Sequence, residues 1–239
     1  MRVRCFACSG ALFALSASGG GIVKPYYDCD GITIYNCDNR EVLPTLPKFD
    51  LLLTDPPYGI GADNQDRILS RGKLANPRNY GVSHWDKEPP SGETIDMSIQ
   101  SAGCAVIWGG NYFGLPASSC WLVWDKDNSG DFADCELAWT NFRKAVRKFK
   151  WRWNGMLQEE MGDKKENRVH PTQKPLALMR WCLSFAPDAK TILDPFMGSG
   201  TTLVAAKREG RKAVGIELEE RYCEMAVKRL QQSVFDFDS

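Results

Sequence analysis

Apolar and polar positions along this chain switch between the two-residue period of strands and the 3.6-residue period of helices. The sharpest run is Leu51-Leu52-Leu53, preceded by Phe49 and stopped by Thr54-Asp55-Pro56-Pro57-Tyr58-Gly59. A segment apolar at every position reads as a strand buried on both faces, the pattern of a parallel sheet. Neither proline has an N–H to donate, so the ladder ends at Thr54 or Asp55. Asp55 and Tyr58 are thereby delivered to the carboxyl edge, where open α/β sheets bind ligands. Residues 32–38 alternate in β-prone types and predict a strand ending at Asp38. A short helix or turn over 40–46 leads from it into the Asp55 strand. Cys104-Ala105-Val106-Ile107-Trp108 predicts another buried strand with a Gly109-Gly110 exit, and 121–124 and 135–139 predict an antiparallel pair.

The second half repeats the theme. A helical period over 176–186 precedes a strand at 191–194, a glycine turn and a helix through Leu203 and Ala206. A strand over 213–217 ends at Glu217, and a helix over 221–231 follows. Strands alternating with helices predict an α/β fold with a mostly parallel sheet. Between these elements, residues 61–92 are polar, rich in Gly, Pro and Asn, and carry Arg67, Arg71, Lys73 and Arg78. Directly after the Asp55 edge, such a loop is expected either as a phosphate-contacting flap over the site or as a solvated excursion. His84, alone within it, reads as a surface residue.

The chemistry that Asp55-Pro56-Pro57-Tyr58 suits is attack by an exocyclic amino group. Such an amine is a poor nucleophile because its lone pair is delocalised into the ring. A carboxylate and a backbone carbonyl, both acceptors, can hold its two N–H groups and favour a more pyramidal nitrogen. Pro56 and Pro57 restrict where that carbonyl points, and Tyr58 supplies a flat face for a base. Taken alone, the tetrapeptide is also what a strand ending in a Pro-Pro turn would show. The turn Phe196-Met197-Gly198-Ser199-Gly200-Thr201 follows Asp194 and precedes a helix, so backbone can approach a ligand at the positive helix end. Glu217, about twenty residues on, suits a carboxylate that accepts from ribose hydroxyls. Arg143, Lys144, Arg147, Lys148, Lys150 and Arg152 interleave with aromatics and no acid over 143–153, a composition that suits phosphates and unstacked bases as well as a solvated face.

Composition narrows this reading. Thirty basic and thirty acidic residues cancel, so nucleic-acid binding must come from local patches such as 143–153. The nine cysteines are scattered, and only Cys5 and Cys8 form a CxxC with nothing to complete a zinc site. They read as reduced thiols of a cytoplasmic protein, and neither a metal nor membrane insertion is expected. Residues 1–22 differ from the rest: Gly19-Gly20-Gly21 would be encoded by G-rich codons shortly before Val23, and valine codons can serve as bacterial starts. A native start near Val23 is the expectation, contradicted if protein made from its own upstream region has an intact mass that includes Met1.

In order, Asp55-Pro56-Pro57-Tyr58, His170-Pro171-Thr172-Gln173-Lys174-Pro175, Phe196-x-Gly198-x-Gly200 and Gly215-Ile216-Glu217 resemble the β group of amino DNA methyltransferases, in which the catalytic half precedes the cofactor half. The resemblance covers about residues 24–230. It implies a circularly permuted Rossmann-like methyltransferase fold, a seven-stranded, mostly parallel sheet with one antiparallel strand and helices on both faces. Residues 23–239 would form that domain, with a small target-recognition insert at about 140–169.

It also implies roles. S-adenosylmethionine is the cofactor, held by Phe196, Gly198 and Gly200, with Asp194 and Thr201 in the same turn and Lys174 closing one side. Glu217 holds the ribose and Asp38 the cofactor adenine. Asp55 and the Pro56 carbonyl receive the N6 amine of an adenine flipped out of double-stranded DNA, and Tyr58 stacks on it. Arg71 and Lys73 join the six basic residues of 143–153 on the DNA. The implied activity is site-specific adenine-N6 methylation, either with a cognate restriction endonuclease encoded nearby or as a solitary or prophage enzyme. Members of that group often form homodimers. N4-cytosine in DNA, adenine in RNA, and a non-catalytic DNA-binding module are the alternatives.

Overall fold

The computed structural model describes residues 15–16, 22–60, 88–128, 133–154, 157–162, 165–166 and 173–232. A nine-stranded sheet forms its centre. In chain order its strands are β1 (Tyr27–Cys29), β2 (Ile32–Asn36), β3 (Phe49–Thr54), β4 (Ala102–Trp108), β5 (Trp121–Asp125), β6 (Cys135–Thr140), β7 (Arg147–Lys150), β8 (Thr191–Asp194) and β9 (Lys212–Glu217). Across the sheet the order is β1-β2-β9-β8-β3-β4-β6-β5-β7. The helices are α1 (Asn39–Val42), α2 (Gly92–Gln100), α3 (Leu176–Leu183), α4 (Thr201–Arg208) and α5 (Glu220–Gln232). No helix among the described residues is long and apolar enough to cross a membrane.

Strands β2, β9, β8, β3 and β4 run parallel, and β6 runs against both β4 and β5. Those seven strands, with one antiparallel among them, are the sheet expected from the sequence. Nine are present because each edge gains one. At one edge β1 joins β2 through Asp30 (φ 51°) and Gly31 (φ 76°), the left-handed pair that a two-residue hairpin requires. At the other, β7 lies parallel to β5, so the basic segment is in part an edge strand. Beside the sheet, Trp153–Asn154 pairs with Leu157–Gln158, and Leu15–Ser16 pairs with Ile22–Val23. The rest of residues 1–21 lies outside the described residues.

The period of two along β3 divides the core. Leu51 and Leu53 join Ile192, Leu178, Met179, Leu203 and Ala226 on the face covered by α3, α4 and α5. Leu52 points the other way, to Leu193, Ile216, Val42 and Ile95, under α1 and α2. Leu51, Leu52 and Leu53 are fully buried, so the triple leucine serves both faces at once. Pairing of Ile192 with Leu51 and Leu193 with Leu52 sets β8 beside β3, so two strands that each end in Asp-Pro open on the same edge. On the far side of β8, Glu217 of β9 pairs with Asn36 of β2, so strands 181 positions apart in the sequence lie side by side.

Candidate active site

Outside the carboxyl ends of β2, β9, β8 and β3 lies a cavity of about 840 Å³, within the range of roughly 300–1,000 Å³ usual for ligand pockets. Asp38, Asp55, Pro57, Lys174, Asp194, Phe196, Gly198, Thr201 and Glu217 line it. Asp55 and Pro57 of the predicted catalytic set therefore meet predicted cofactor residues at one edge, while Pro56 and Tyr58 are not part of the cavity wall. Gly200, also predicted there, caps α4 from behind with φ 77°, and a methyl group on it would come within 2.7 Å of the Ala226 side chain of α5. Only glycine allows both that backbone and that helix packing.

Glu217 ends β9 with both oxygens oriented by backbone. Oε2 accepts from the Gly198 amide at 3.0 Å and Oε1 from the Glu219 amide at 2.8 Å. Burial nevertheless raises its carboxyl to about 7. Asp194 is buried to 3% exposure and accepts from the Thr54 hydroxyl at 2.7 Å and the Phe196 amide at 3.2 Å. It thereby ties β8 to β3, and burial raises it to about 6. Asp38 caps α1, accepting from the Arg40 amide, and also pairs with the Arg40 side chain, which holds its carboxyl below the usual range.

Asp55 stands where the cavity meets an aromatic corner. Its Oδ1 accepts from the Tyr58 hydroxyl at 2.5 Å and its Oδ2 from the Lys174 ammonium at 2.6 Å. Burial raises the Asp55 carboxyl, Lys174 works against that, and the nearby Glu136 carboxylate adds to it. The Tyr58 ring stacks on Tyr112 with centroids 4.9 Å apart and meets Phe113 edge-on. Gly109 (φ 68°) lies against that ring; a methyl group there would sit 2.0 Å from it. Any side chain at Gly109 would displace Tyr58.

Lys174, which lines the cavity, is also the cation of the Asp55 corner. It is 6% exposed, and its ammonium also reaches Glu136 Oε2 at 3.1 Å, while Glu136 Oε1 contacts Lys126. Burial alone would lower Lys174, but Asp55 and Glu136 together hold it above its ordinary value. Sequence reasoning missed Glu136, Lys126 and Tyr112. A lone acid in the otherwise apolar Cys135-Glu136-Leu137-Ala138-Trp139 was the signal available for the first. It also missed Arg229, whose guanidinium reaches from α5 to the Ser199 carbonyl (2.8 Å) and the Thr201 hydroxyl (2.9 Å), fixing the glycine turn.

The basic set stands apart. None of Arg143, Lys144, Arg147, Lys148, Lys150 and Arg152 lines the cavity. Lys148 pairs with Asp125 at 3.1 Å, Lys150 with Asp127 at 2.9 Å and Arg152 with Asp127 at 2.5 Å, so two acids at and just beyond the end of β5 pair with three of the six basic residues. Lys144 donates to the Phe185 carbonyl just beyond α3. Arg71, Lys73 and His84 lie outside the described residues, as do residues 61–87 of the expected flap and His170, Pro171 and Thr172.

Known proteins resemble this chain along most of its length. Residues 115–228 match the family model described as DNA methylase, N6_N4_Mtase. The Type II methyltransferase M2.LlaDCHI of Lactococcus lactis subsp. cremoris is 29% identical, over 89% of this chain and 95% of its own. The Type II methyltransferase M.ScaI of Streptomyces caespitosus is 28% identical, over 89% and 86%. In three dimensions the PvuII DNA methyltransferase (cytosine-N4-specific) superposes with a TM-score of 0.55 at 16% identity, covering 89% of this chain and 93% of that one, which establishes a common fold. With the motifs gathered at one sheet edge and these relatives matched along most of their length, the chain is similar to the N6/N4 DNA methyltransferases.

Proposed function

We propose that this protein transfers a methyl group from S-adenosylmethionine to the N6 amine of adenine in double-stranded DNA. The observation that carries the reading is Asp55, an acceptor at the boundary between an acid-lined cavity and an aromatic corner. The first compartment suits the cofactor. Asp38, Asp194 and Glu217 on its wall match a ligand with positive charge and hydroxyl donors, and a side chain at Gly198 would meet no protein atom within 4 Å. When bound, S-adenosylmethionine supplies a methyl group made electrophilic by its sulfonium. Glu217, prepositioned by two amides, would hold the ribose hydroxyls, and Gly198 with Phe196 the methionine portion.

The second compartment suits the base. Asp55 keeps 21% of its side-chain surface, and each of its oxygens has lone pairs beyond those used by Tyr58 and Lys174. Asp55 and the Pro56 carbonyl would accept the two amine hydrogens and favour a pyramidal nitrogen. The Asp55 carboxylate, made more basic by burial, would hold the proton that the amine sheds. Tyr58, backed by the stacked Tyr112 ring, would give the flipped base a flat face. The protein's contribution is positioning and charge placement. Asp55 in the first motif position favours adenine, since enzymes with N4-cytosine targets more often carry Ser there. Basic residues 143–153 would contact the duplex, and a homodimer and a restriction–modification role belong to the same reading.

Purified protein incubated with duplex DNA and methyl-labelled S-adenosylmethionine is expected to place label in the DNA. Cofactor binding is expected to follow Glu217. Its carboxyl sits near 7 in the free protein, and ribose hydroxyls donate to the ionised form. Affinity therefore rises with pH through about 7, by up to about tenfold per unit below it, and Glu217→Gln weakens binding and flattens the slope. Calorimetric titrations at several pH values check this. Affinity independent of pH would remove Glu217 from the ribose, and unlabelled DNA would sink the activity.

A further inference from the structure

The ammonium of Lys174 is divided between two carboxylates, 2.6 Å from Asp55 Oδ2 and 3.1 Å from Glu136 Oε2. Glu136 comes from β6, opposite Trp124 of β5, and its other oxygen contacts Lys126, whose ammonium lies 5.0 Å from the Trp124 ring. Two lysines and two carboxylates alternate as Lys126, Glu136, Lys174, Asp55, and the last of them opens into the cavity. Glu136 does not line that cavity. It is 23% exposed at the side chain, and Lys126 is 18% exposed.

An acid placed only to neutralise Lys126 would have no need to reach Lys174. A lysine placed only to ionise Asp55 would be best served by Asp55 alone, because a buried one-to-one pair gives the tightest attraction. The shared arrangement does something else. Lys174 keeps Asp55 charged without committing its full hydrogen-bonding capacity to that carboxylate. An acceptor already saturated by an ammonium is a poorer acceptor for a weakly acidic aromatic N–H.

We propose that Glu136 is a positioning residue for methyl transfer: it draws Lys174 partly away from Asp55, so that Asp55 retains the acceptor strength needed to hold and orient the target amine. The proposal rests on the reading of Asp55 as the group that receives the amine. The charged and titratable groups facing Asp55 are Lys174, Tyr58, Glu136 and Asp194, with Lys126 acting through Glu136. Removing the Glu136 charge takes away a neighbour that disfavours ionisation of Asp55 and leaves Lys174 to Asp55. Both changes move the Asp55 titration to lower pH.

Two measurements on the full chain test it. In the unliganded protein, the Asp55 carboxyl is titrated by carbon-13 NMR in the wild type and in Glu136→Gln, which keeps the size and one acceptor. The midpoint is expected to fall in the variant. Single-turnover methyl transfer to DNA is then followed against pH. Glu136→Gln is expected to lower the rate roughly 10- to 100-fold, move the acid limb to lower pH and leave cofactor affinity within about twofold. Glu136→Asp, which keeps the charge, is expected to recover part of the rate. An unmoved Asp55 midpoint overturns the proposal, as does a variant whose rate, cofactor affinity and melting temperature fall together with the acid limb in place. Should the wild type methylate no DNA, the functional reading fails and with it the role in transfer, while the NMR midpoint still decides whether Glu136 governs the charge on Asp55.

Discussion

Asp55→Asn is expected to lose about 10²–10³-fold or more in the rate of methyl transfer while still binding S-adenosylmethionine with little change. The carboxamide is nearly isosteric, so the strand end and the Pro56-Pro57 turn survive. It replaces one acceptor oxygen by an NH₂ donor, which repels the amine hydrogens that Asp55 is placed to receive. It also has no basicity with which to take the released proton. Lys174 keeps Glu136 as a partner, so the corner does not hold an isolated charge. Glu217 ends β9, two strands away, and Gly198 lies in the turn after β8, so their mutual contact is untouched. Rapid-quench kinetics beside calorimetric cofactor titrations separate the two effects. A variant that transfers methyl groups at the wild-type rate would remove Asp55 from the chemistry.

Lys174→Met should have the largest effect on the fold. Two partly buried carboxylates then face each other with only Lys126 near one of them. Removing one partner from a buried ion pair costs about 3–5 kcal/mol, which for a domain of this size lowers the melting temperature by about 10 °C or more. The sign of the pH dependence follows from the charges. Without the ammonium, Asp55 rises further above its unfolded value and Glu136 loses one of the two lysines that hold it low, so the native state of the variant holds more protons than that of the wild type through the acidic range. Stability relative to wild type is therefore recovered as the pH falls and lost as it rises. The deficit in urea unfolding should be widest above neutral pH and narrow toward pH 5. An equal deficit at both would mean that Lys174 acts through packing alone.

The parts of this account legible in the sequence are those encoded locally or by a periodic pattern. Leu51-Leu52-Leu53 announced a strand buried on both faces, and the two core clusters divide between those three residues. The parallel sheet implied by the sequence motifs is realised with the Asp194 strand beside the Asp55 strand and the Glu217 strand beside that of Asp38. Two elements went unread although their signals were present. Asp30-Gly31 is a two-residue hairpin turn that adds β1. Ser91 caps α2 by accepting from the Thr94 amide, within a stretch whose polar surroundings read as loop.

What the sequence hid was the pairing of charges between distant elements. Lys174 and Glu136 are 38 positions apart, and nothing local distinguishes a glutamate that will meet a buried lysine from one that will face water. The ion pairs of the basic run were hidden for the same reason: Asp125 and Asp127 lie outside it in sequence but beside it in space, because β7 pairs with β5.

The most direct test of the central claim is mass spectrometry of nucleosides from plasmid DNA of cells that express this protein and lack methyltransferases of their own, with Asp55→Asn run in parallel. The account predicts N6-methyladenine with the wild type and none above background with the variant. N4-methylcytosine in its place would contradict the assignment of the base, and DNA without a methylated base would contradict the proposed activity.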